Sequence, residues 1–269
     1  MSSAIEAPVT IQVCGRYSPD QVRVMIENSP RSTTPDLEAA IAAEWDRRVA
    51  EATATGRVLF NGEMLRYVRH RADESIFELT VGPTCYRDFV GTNLYGQRWL
   101  ERVPWECFSN PVGTTATLIT SDNLICYGLR SQRVAFHAGY VHTFGGALEI
   151  IDQRPDGTID VFESLLRELK EELALARSDL TDLACVGLIR DKQIHQPELL
   201  FEARVKLTAD ELRRRWQAAE SRDEHEELVT LEDKPEAIVP FIESCKLIAP
   251  VAVGALTVHS RLKWKHHYL

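Results

Sequence analysis

RELKEEL, Arg167 to Leu173, sets three acidic side chains on neighbouring positions of one predicted helix. Taken with the residues before it, apolar side chains recur at Phe162, Leu166, Leu169 and Leu173, steps of four, three and four that draw one stripe along a helix. Glu168, Glu171 and Glu172 stand off that stripe. Three and four positions apart, their carboxylates share a face on which each like-charge pair costs about 0.2–0.5 kcal/mol. A divalent cation reverses that sign. Mg²⁺ suits such a cluster because it takes a few carboxylates, keeps several waters and accepts substrate phosphates for the rest. Seen without its neighbours, the same face also reads as an ordinary solvated one, with Arg167 four before Glu171 offsetting one charge.

Upstream, FGG at Phe144 to Gly146 ends a run of extended pattern, and DQRPDGT forms a polar loop before the helix, which is expected from about Asp160 to Leu175. Further back, TTATLIT and NLICYGL read as a hairpin around Ser121-Asp122, followed by a third extended piece, RVAFHAGYVHTF. Downstream come strands ACVGLIRD and ELLFEARVKL, helix TADELRRRWQAAES, strand ELVTLE and two helical pieces, the last apolar on most sides. The first part reads as strand VTIQVCG, a short helix QVRVMIEN capped by Ser18-Pro19-Asp20, and a longer helix opened by Thr34-Pro35-Asp36 and ended by Gly56. Extended segments RVLFN, LRYVRHRA and SIFELTVG then lead to CYRDFVGTN. A soft boundary near residue 110 divides an N-terminal α+β region, 1–110, from an α/β region, 111–269, in which helices cover a mixed sheet.

With 269 residues and 44% hydrophobic content, the chain can fill a substantial core. The 40 acidic against 31 basic residues repel nucleic acid, so an anionic substrate needs a local basic cluster or a bound cation. No apolar run reaches the ~18 residues of a membrane span, and MSSAIEAPVTIQV lacks the pattern of a secretory leader. A cytoplasmic protein without a membrane partner is the expectation. Six cysteines without a C-x-x-C pair fit neither a zinc site nor a disulfide framework. Oligomeric state leaves no signal in the sequence.

The glycines and the acidic helix together resemble the Nudix box, G-x5-E-x7-R-E-U-x-E-E-x-G-U with U aliphatic. RELKEELAL matches its second half, with Ala174 in place of the glycine. Gly146 and Arg167 are 21 positions apart where the box has 14, an insertion placed around DQRPDGT. Eight before Arg167, where the box has a glutamate, stands Ile159, with Asp160 beside it as a stand-in. A second stretch, TCYRDFVGTN from Thr84 to Asn93, looks like the Y-R-D-F-x-G-T-N segment of the Nudix proteins that hydrolyse UDP-glucose and UDP-galactose. Ala40, Ile41 and Trp45 in the early helix, Gly187, Ile189 and Arg190 in a later strand, and the pair His225-Glu226 extend the resemblance along most of the chain.

The resemblance implies a Nudix α/β/α sandwich with a mixed sheet behind a smaller N-terminal region. It also implies an enzyme that cleaves a nucleotide sugar to UMP and sugar 1-phosphate with Mg²⁺ or Mn²⁺. Glu168 and Glu172 would be the primary metal ligands and Glu171 a third, Arg167 would orient a glutamate, and the backbone of Gly145 and Gly146 would approach metal or phosphate. Arg87 would counter diphosphate charge, and Asp88 or Asn93 would bond uracil or sugar hydroxyls. Read from its residues alone, this segment is a strand-to-turn junction with Tyr86 and Phe89 packed and Arg87 paired with an acid. The general base stays open between Glu226 or Glu227 in DEHEE, a box glutamate, and Glu198. Two rivals stand beside this reading: another substrate such as ADP-ribose or a dinucleotide, and a Nudix-fold sensor that binds a nucleotide sugar without turnover.

Overall fold

The computed structural model describes residues 7–56, 58–134 and 136–265. The outer limits of the two expected regions at 1 and 269, with Arg57 and Ala135 inside two expected strands, lie outside the described residues. In chain order the elements are β1 (Val9–Tyr17), β2 (Val22–Ile26), α1 (Pro35–Ala54), β3 (Glu63–Ala72), β4 (Phe77–Cys85), α2 (Tyr86–Phe89), β5 (Gly113–Ile119) and β6 (Leu124–Arg130). Then follow β7 (Val141–His142), β8 (Phe144–Ala147), α3 (Val161–Leu173), β9 (Leu180–Asp191), β10 (Pro197–Val205), α4 (Ala209–Trp216), β11 (His225–Glu232), α5 (Pro235–Ser244) and α6 (Pro250–Trp264).

The large sheet is mixed, in the order β1-β9-β10-β5-β6-β11, with β10 and β5 parallel. β5 and β6 pair only at Leu118↔Cys126 and Ile119↔Ile125 and then part, β8 taking the edge of β5 and β7 that of β6. That split is where the site lies. One face of the sheet carries α3, whose Phe162, Leu165, Leu169 and Leu173 join Ala116, Leu118, Phe144 and Phe201 in one core. Each such side chain buried in full contributes about 1.5–3 kcal/mol. The other face is covered by α6, buried without interruption from Val251 to Ser260, which packs on Ile189, Tyr127 and Leu200. Helices on both faces of a mixed sheet are the expected α/β sandwich.

A second sheet, β2-β4-β3, carries most of the N-terminal region, while β1 pairs antiparallel with β9 at the rim of the large sheet. Backbone bonds stitch the small sheet to the approach to α3: Leu65 N–H to Leu148 O at 2.9 Å and Ile159 N–H to Val24 O at 2.8 Å. The polar loop DQRPDGT is closed at its base by Asp160 N–H donating to Asp152 O at 2.9 Å and by an Arg154–Asp160 ion pair.

Three expected elements differ. QVRVMIEN is not a helix: Ser18 caps only a single 3-10 turn, Pro19–Gln21, after which the β-branched Val22, Val24 and Ile26 run parallel to β4 as a strand. Residues 58–62 of the RVLFN stretch are irregular. RVAFHAGYVHTF is extended only from Val141, because His137 (φ +53°) and Gly139 (φ +76°) take left-handed backbone conformations that break a strand. The strand-to-turn junction read at CYRDFVGTN ends its strand at Cys85, and its turn is helical: Tyr86–Phe89 form a helical turn continued through Leu94, and Thr92 Oγ1 donates to Asp88 O at 2.6 Å.

Candidate active site

α3 begins where Asp160 accepts the backbone N–H groups of Phe162 at 3.2 Å and Glu163 at 3.0 Å. A cap of this kind is worth about 0.5–2 kcal/mol. Asp160 is therefore occupied as a cap, while Asp152, six positions after Gly146, the spacing of the box carboxylate, lies within 3.4 Å of Arg167 Nη2. The extra residues close a loop between Asp152 and Asp160. At the other end, Ala174 takes the left-handed conformation, φ +56° and ψ +30°, with Leu175 N–H donating back to Leu169 O. It fills the place of the box glycine at the energetic cost a glycine would avoid.

The helix presents its carboxylates to β8. Gly145, φ +146°, lies against the Thr114 carbonyl so closely that any side chain would overlap it. Its N–H donates to Glu172 Oε2 at 3.1 Å. At Gly146 a Cβ would sit 2.5 Å from the Glu168 carboxyl carbon. Glycine at both positions thus lets helix and strand meet at their carboxylates. Glu172 is 3% exposed. Its burial raises its pKa well above the usual carboxylate range, and the charges of Glu224 and Glu168 add to this. Burial likewise pushes Glu168 up to about 7 against the pull of Arg167, with Glu171, Glu149 and Glu224 raising it further. Arg167 Nη1 donates to Glu168 Oε1 at 2.7 Å and lies 4.0 Å from Glu171, while Nη2 lies 3.9 Å from Glu149. Arg167 is thus committed to the acidic face. Glu171 remains partly exposed, and its backbone oxygen accepts Ser221 N–H at 2.9 Å, which ties the helix to the turn bearing Glu224.

Among the described residues no three His, Cys, Asp or Glu side chains already converge as a metal cage. The donor chemistry nevertheless fits a hard cation that keeps waters: Arg167 and Gly145 N–H hold Glu168 and Glu172 in place against desolvation and mutual repulsion, with the charge of Glu224 acting on both.

In the split between β5 and β6 opens a cavity of about 160 Å³ bordered by Thr114, Arg130, His142, Gly145, Asp191 and Glu198. Burial and then Arg130 drive the histidines beside it down, His142 to about 3 and His137 and His225 to about 4. All three are uncharged near neutral pH. His225 is 1% exposed, and neither ring nitrogen has a hydrogen-bond partner.

The acidic stretch DEHEE divides. Glu226 and Glu227 are exposed on β11, and Glu226 Oε1 accepts Gln132 N–H at 3.1 Å. Glu224, in the turn just before, is the member whose charge acts on Glu168 and Glu172. The Tyr86–Asn93 segment stands apart from the α3 carboxylates. Tyr86 lines a separate cavity of about 430 Å³ with Arg48 and Tyr95. Arg87 pairs with Asp88 at 3.2 Å, and Asp88 also accepts Arg31 Nε at 2.7 Å. Asn93 is fully buried, its Nδ2 donating to Asn110 Oδ1 at 2.9 Å and Ile194 O at 2.8 Å and its Oδ1 accepting Asn110 N–H at 2.9 Å. Trp105 Nε1 donates to His195 O at 3.1 Å. Asn93 and Trp105 therefore pin the β9–β10 connection that forms one wall of the 160 Å³ cavity.

Sequence reasoning missed Asp152, Glu224, Arg130 and Asp191. Counting forward from Gly146 would have found Asp152. The other three carry no local signal, since only the sheet brings them to the site.

Along the chain, Nudix hydrolase 9 of Arabidopsis thaliana is 28% identical over 80% of this chain and 79% of its own. Uridine diphosphate glucose pyrophosphatase NUDT22 of Mus musculus is 26% identical over 90% of this chain and 86% of its own. The protein of the same name from Homo sapiens is 24% identical over 96% and 93%. No family model matches.

Proposed function

The chain is a member of the Nudix hydrolase superfamily, a hydrolase of phosphorus-containing anhydrides, and from that premise we propose that it cleaves UDP-glucose and UDP-galactose to UMP and sugar 1-phosphate with Mg²⁺ or Mn²⁺. The observation that carries the reading is the Glu172 carboxylate, buried against Gly145 N–H between Glu168 and Glu224. Such a group is disfavoured until a cation shares it. Support for the substrate comes from the likeness to the uridine diphosphate glucose pyrophosphatases over most of the chain.

Glu168 and Glu172 would hold the cation, with Glu171 at the rim. When bound, the cation offsets diphosphate charge and acidifies a bound water. The chain's own residues do the rest. Arg167 fixes the Glu168 rotamer, Gly145 N–H fixes Glu172, and Arg130 sets a positive charge at the cavity wall for the diphosphate. For the proton acceptor we propose Glu224 in place of Glu226, because Glu226 is exposed and bonded to Gln132. Tyr86, Arg87, Asp88 and Asn93 act on the substrate through the β9–β10 connection that Asn93 holds. No helix among the described residues is long and apolar enough to cross a membrane. On the same reading the protein works in the cytoplasm on a small molecule, with neither nucleic acid nor membrane as partner.

The test is product analysis with UDP-glucose and ADP-ribose in competition, with and without Mg²⁺. Metal-dependent UMP and glucose 1-phosphate, formed in preference to AMP, are expected. AMP as the main product would refute the substrate assignment.

A further inference from the structure

Glu198 opens β10 beside Gly113 of β5, and its carboxylate lies where a side chain at position 113 would overlap Oε2. The chain has left room for it. It borders the cavity and has neither a hydrogen-bond nor an ion-pair partner among the described residues. Its charged neighbour is another acid, Asp191, which is 6% exposed. Asp191 spends Oδ1 on the N–H groups of Gln193 at 2.6 Å and Ile194 at 2.8 Å, leaving Oδ2 without a bond. Burial, with Asp191 adding, pushes Glu198 up to about 8.

The cavity is therefore polar in a directed way. Arg130 ends β6 and Glu198 opens β10, the two strands that flank β5, so the cationic side of the cavity lies across β5 from Glu198. The opposite wall carries the carboxyl groups of Glu198 and Asp191, and among the described residues that border the cavity Arg130 is the one lysine or arginine. Once Glu198 is ionised, above about pH 8, a phosphate placed there would meet like charge in a poorly solvated pocket, whereas hydroxyl donors would satisfy its acceptor oxygens.

Resting on the proposed nucleotide-sugar activity, we propose that Glu198, with Asp191, forms the subsite for the uncharged, hydroxyl-bearing half of the substrate and turns away a terminal phosphate. Glu198 is then a specificity residue, not part of the metal-binding group.

Equilibrium titrations with UDP-glucose, UDP and UTP at about pH 9, where Glu198 is ionised, with Ca²⁺ in place of Mg²⁺ to suppress turnover, test it by comparing wild type with Glu198→Gln and Glu198→Ala. Glu198→Ala should weaken UDP-glucose about tenfold and leave UDP unchanged, as expected for lost hydrogen bonds. Glu198→Gln should keep UDP-glucose within about threefold and tighten UTP about tenfold, a gain that misfolding cannot produce. An unchanged ratio of UTP to UDP-glucose affinity in both variants overturns the inference. So does an equal loss for UDP and UDP-glucose, or no binding of UDP-glucose at all. Wild-type protein that binds UDP-glucose with this pattern but does not cleave it would overturn the activity and leave the subsite standing.

Discussion

Ala174 occupies a left-handed position that the Nudix box gives to glycine, and the strain there is local to one residue. A non-glycine residue in that conformation costs roughly 1–2 kcal/mol, part of which glycine returns through its freer unfolded state. Ala174→Gly should accordingly stabilise the protein by about 0.5–1 kcal/mol in urea unfolding. A loss of stability would mean that the methyl group packs more usefully than its backbone is strained. Glu172 presents the reverse case, a side chain whose neighbours are costly in the absence of a ligand. Its burial, its single backbone bond to Gly145 and the charges of Glu224 and Glu168 leave it poorly compensated. Mg²⁺ should therefore raise Tm, since a ligand bound only by the native state stabilises it. Loss of that rise in Glu172→Gln, read by calorimetry, is the expected result; an equal rise in both proteins would place the cation elsewhere.

At the scale of elements, Asn93 links the turn after β4 to the connection between β9 and β10 through one hydrogen bond to Ile194 O and to the approach to β5 through two with Asn110. Asn93→Ala leaves buried partners unpaired, each at about 1–3 kcal/mol. Chemical denaturation should show a loss of at least about 2 kcal/mol, and KM for UDP-glucose should rise more than kcat falls. A variant of wild-type stability would show that the linkage is dispensable. Helix α3 was legible in the sequence because its burial is set by its own period, Phe162, Leu166, Leu169 and Leu173 all facing the core. β2 was not, because Ser18-Pro19-Asp20 is a helix-start signal that here caps a single 3-10 turn, and the strand after it is set by pairing with the distant β4. The helical turn at Tyr86–Phe89 is likewise secured by partners far along the chain, Arg31 for Asp88 and Ile194 for Asn93. Of the candidate site, the carboxylates on α3 were readable from spacing, whereas Glu224 was not separable from Glu226 and Glu227 until the start of β11 fixed which of them faces the helix.

Across the whole molecule, α6 is anchored far from the cavity by an ionic network. His259, 1% exposed, is held between Glu202 Oε1 at 2.6 Å and Asp233 Oδ1 at 2.7 Å, with Lys263 and Arg16 closing the ends. Burial alone would lower the imidazole, but the two carboxylates outweigh it and raise its pKa, while Glu202 and Asp233 are lowered. The raised histidine stabilises the fold fully below its unfolded value of about 6.5 and loses that contribution as pH rises through the folded value. The lowered acids act oppositely, stabilising above about pH 4 and losing that as pH falls. Glu168 at about 7 and Glu198 at about 8 also favour the protonated fold. Tm should thus fall as pH rises from about 5 to 8 and further as it passes the raised value of His259, and His259→Gln should flatten that fall above about pH 6.5. A slope unchanged by the substitution would remove His259 as a cause.

If α3 holds the cation for hydrolysis of a nucleotide sugar, the rate of UMP release from UDP-glucose by wild type and Glu172→Gln across Mg²⁺ concentrations will report it. Turnover only with metal and a loss of about 10²–10³-fold in the variant are expected, the scale of losing one preorganised electrostatic partner. Equal turnover by the two proteins, or turnover indifferent to chelator, would contradict that role for α3.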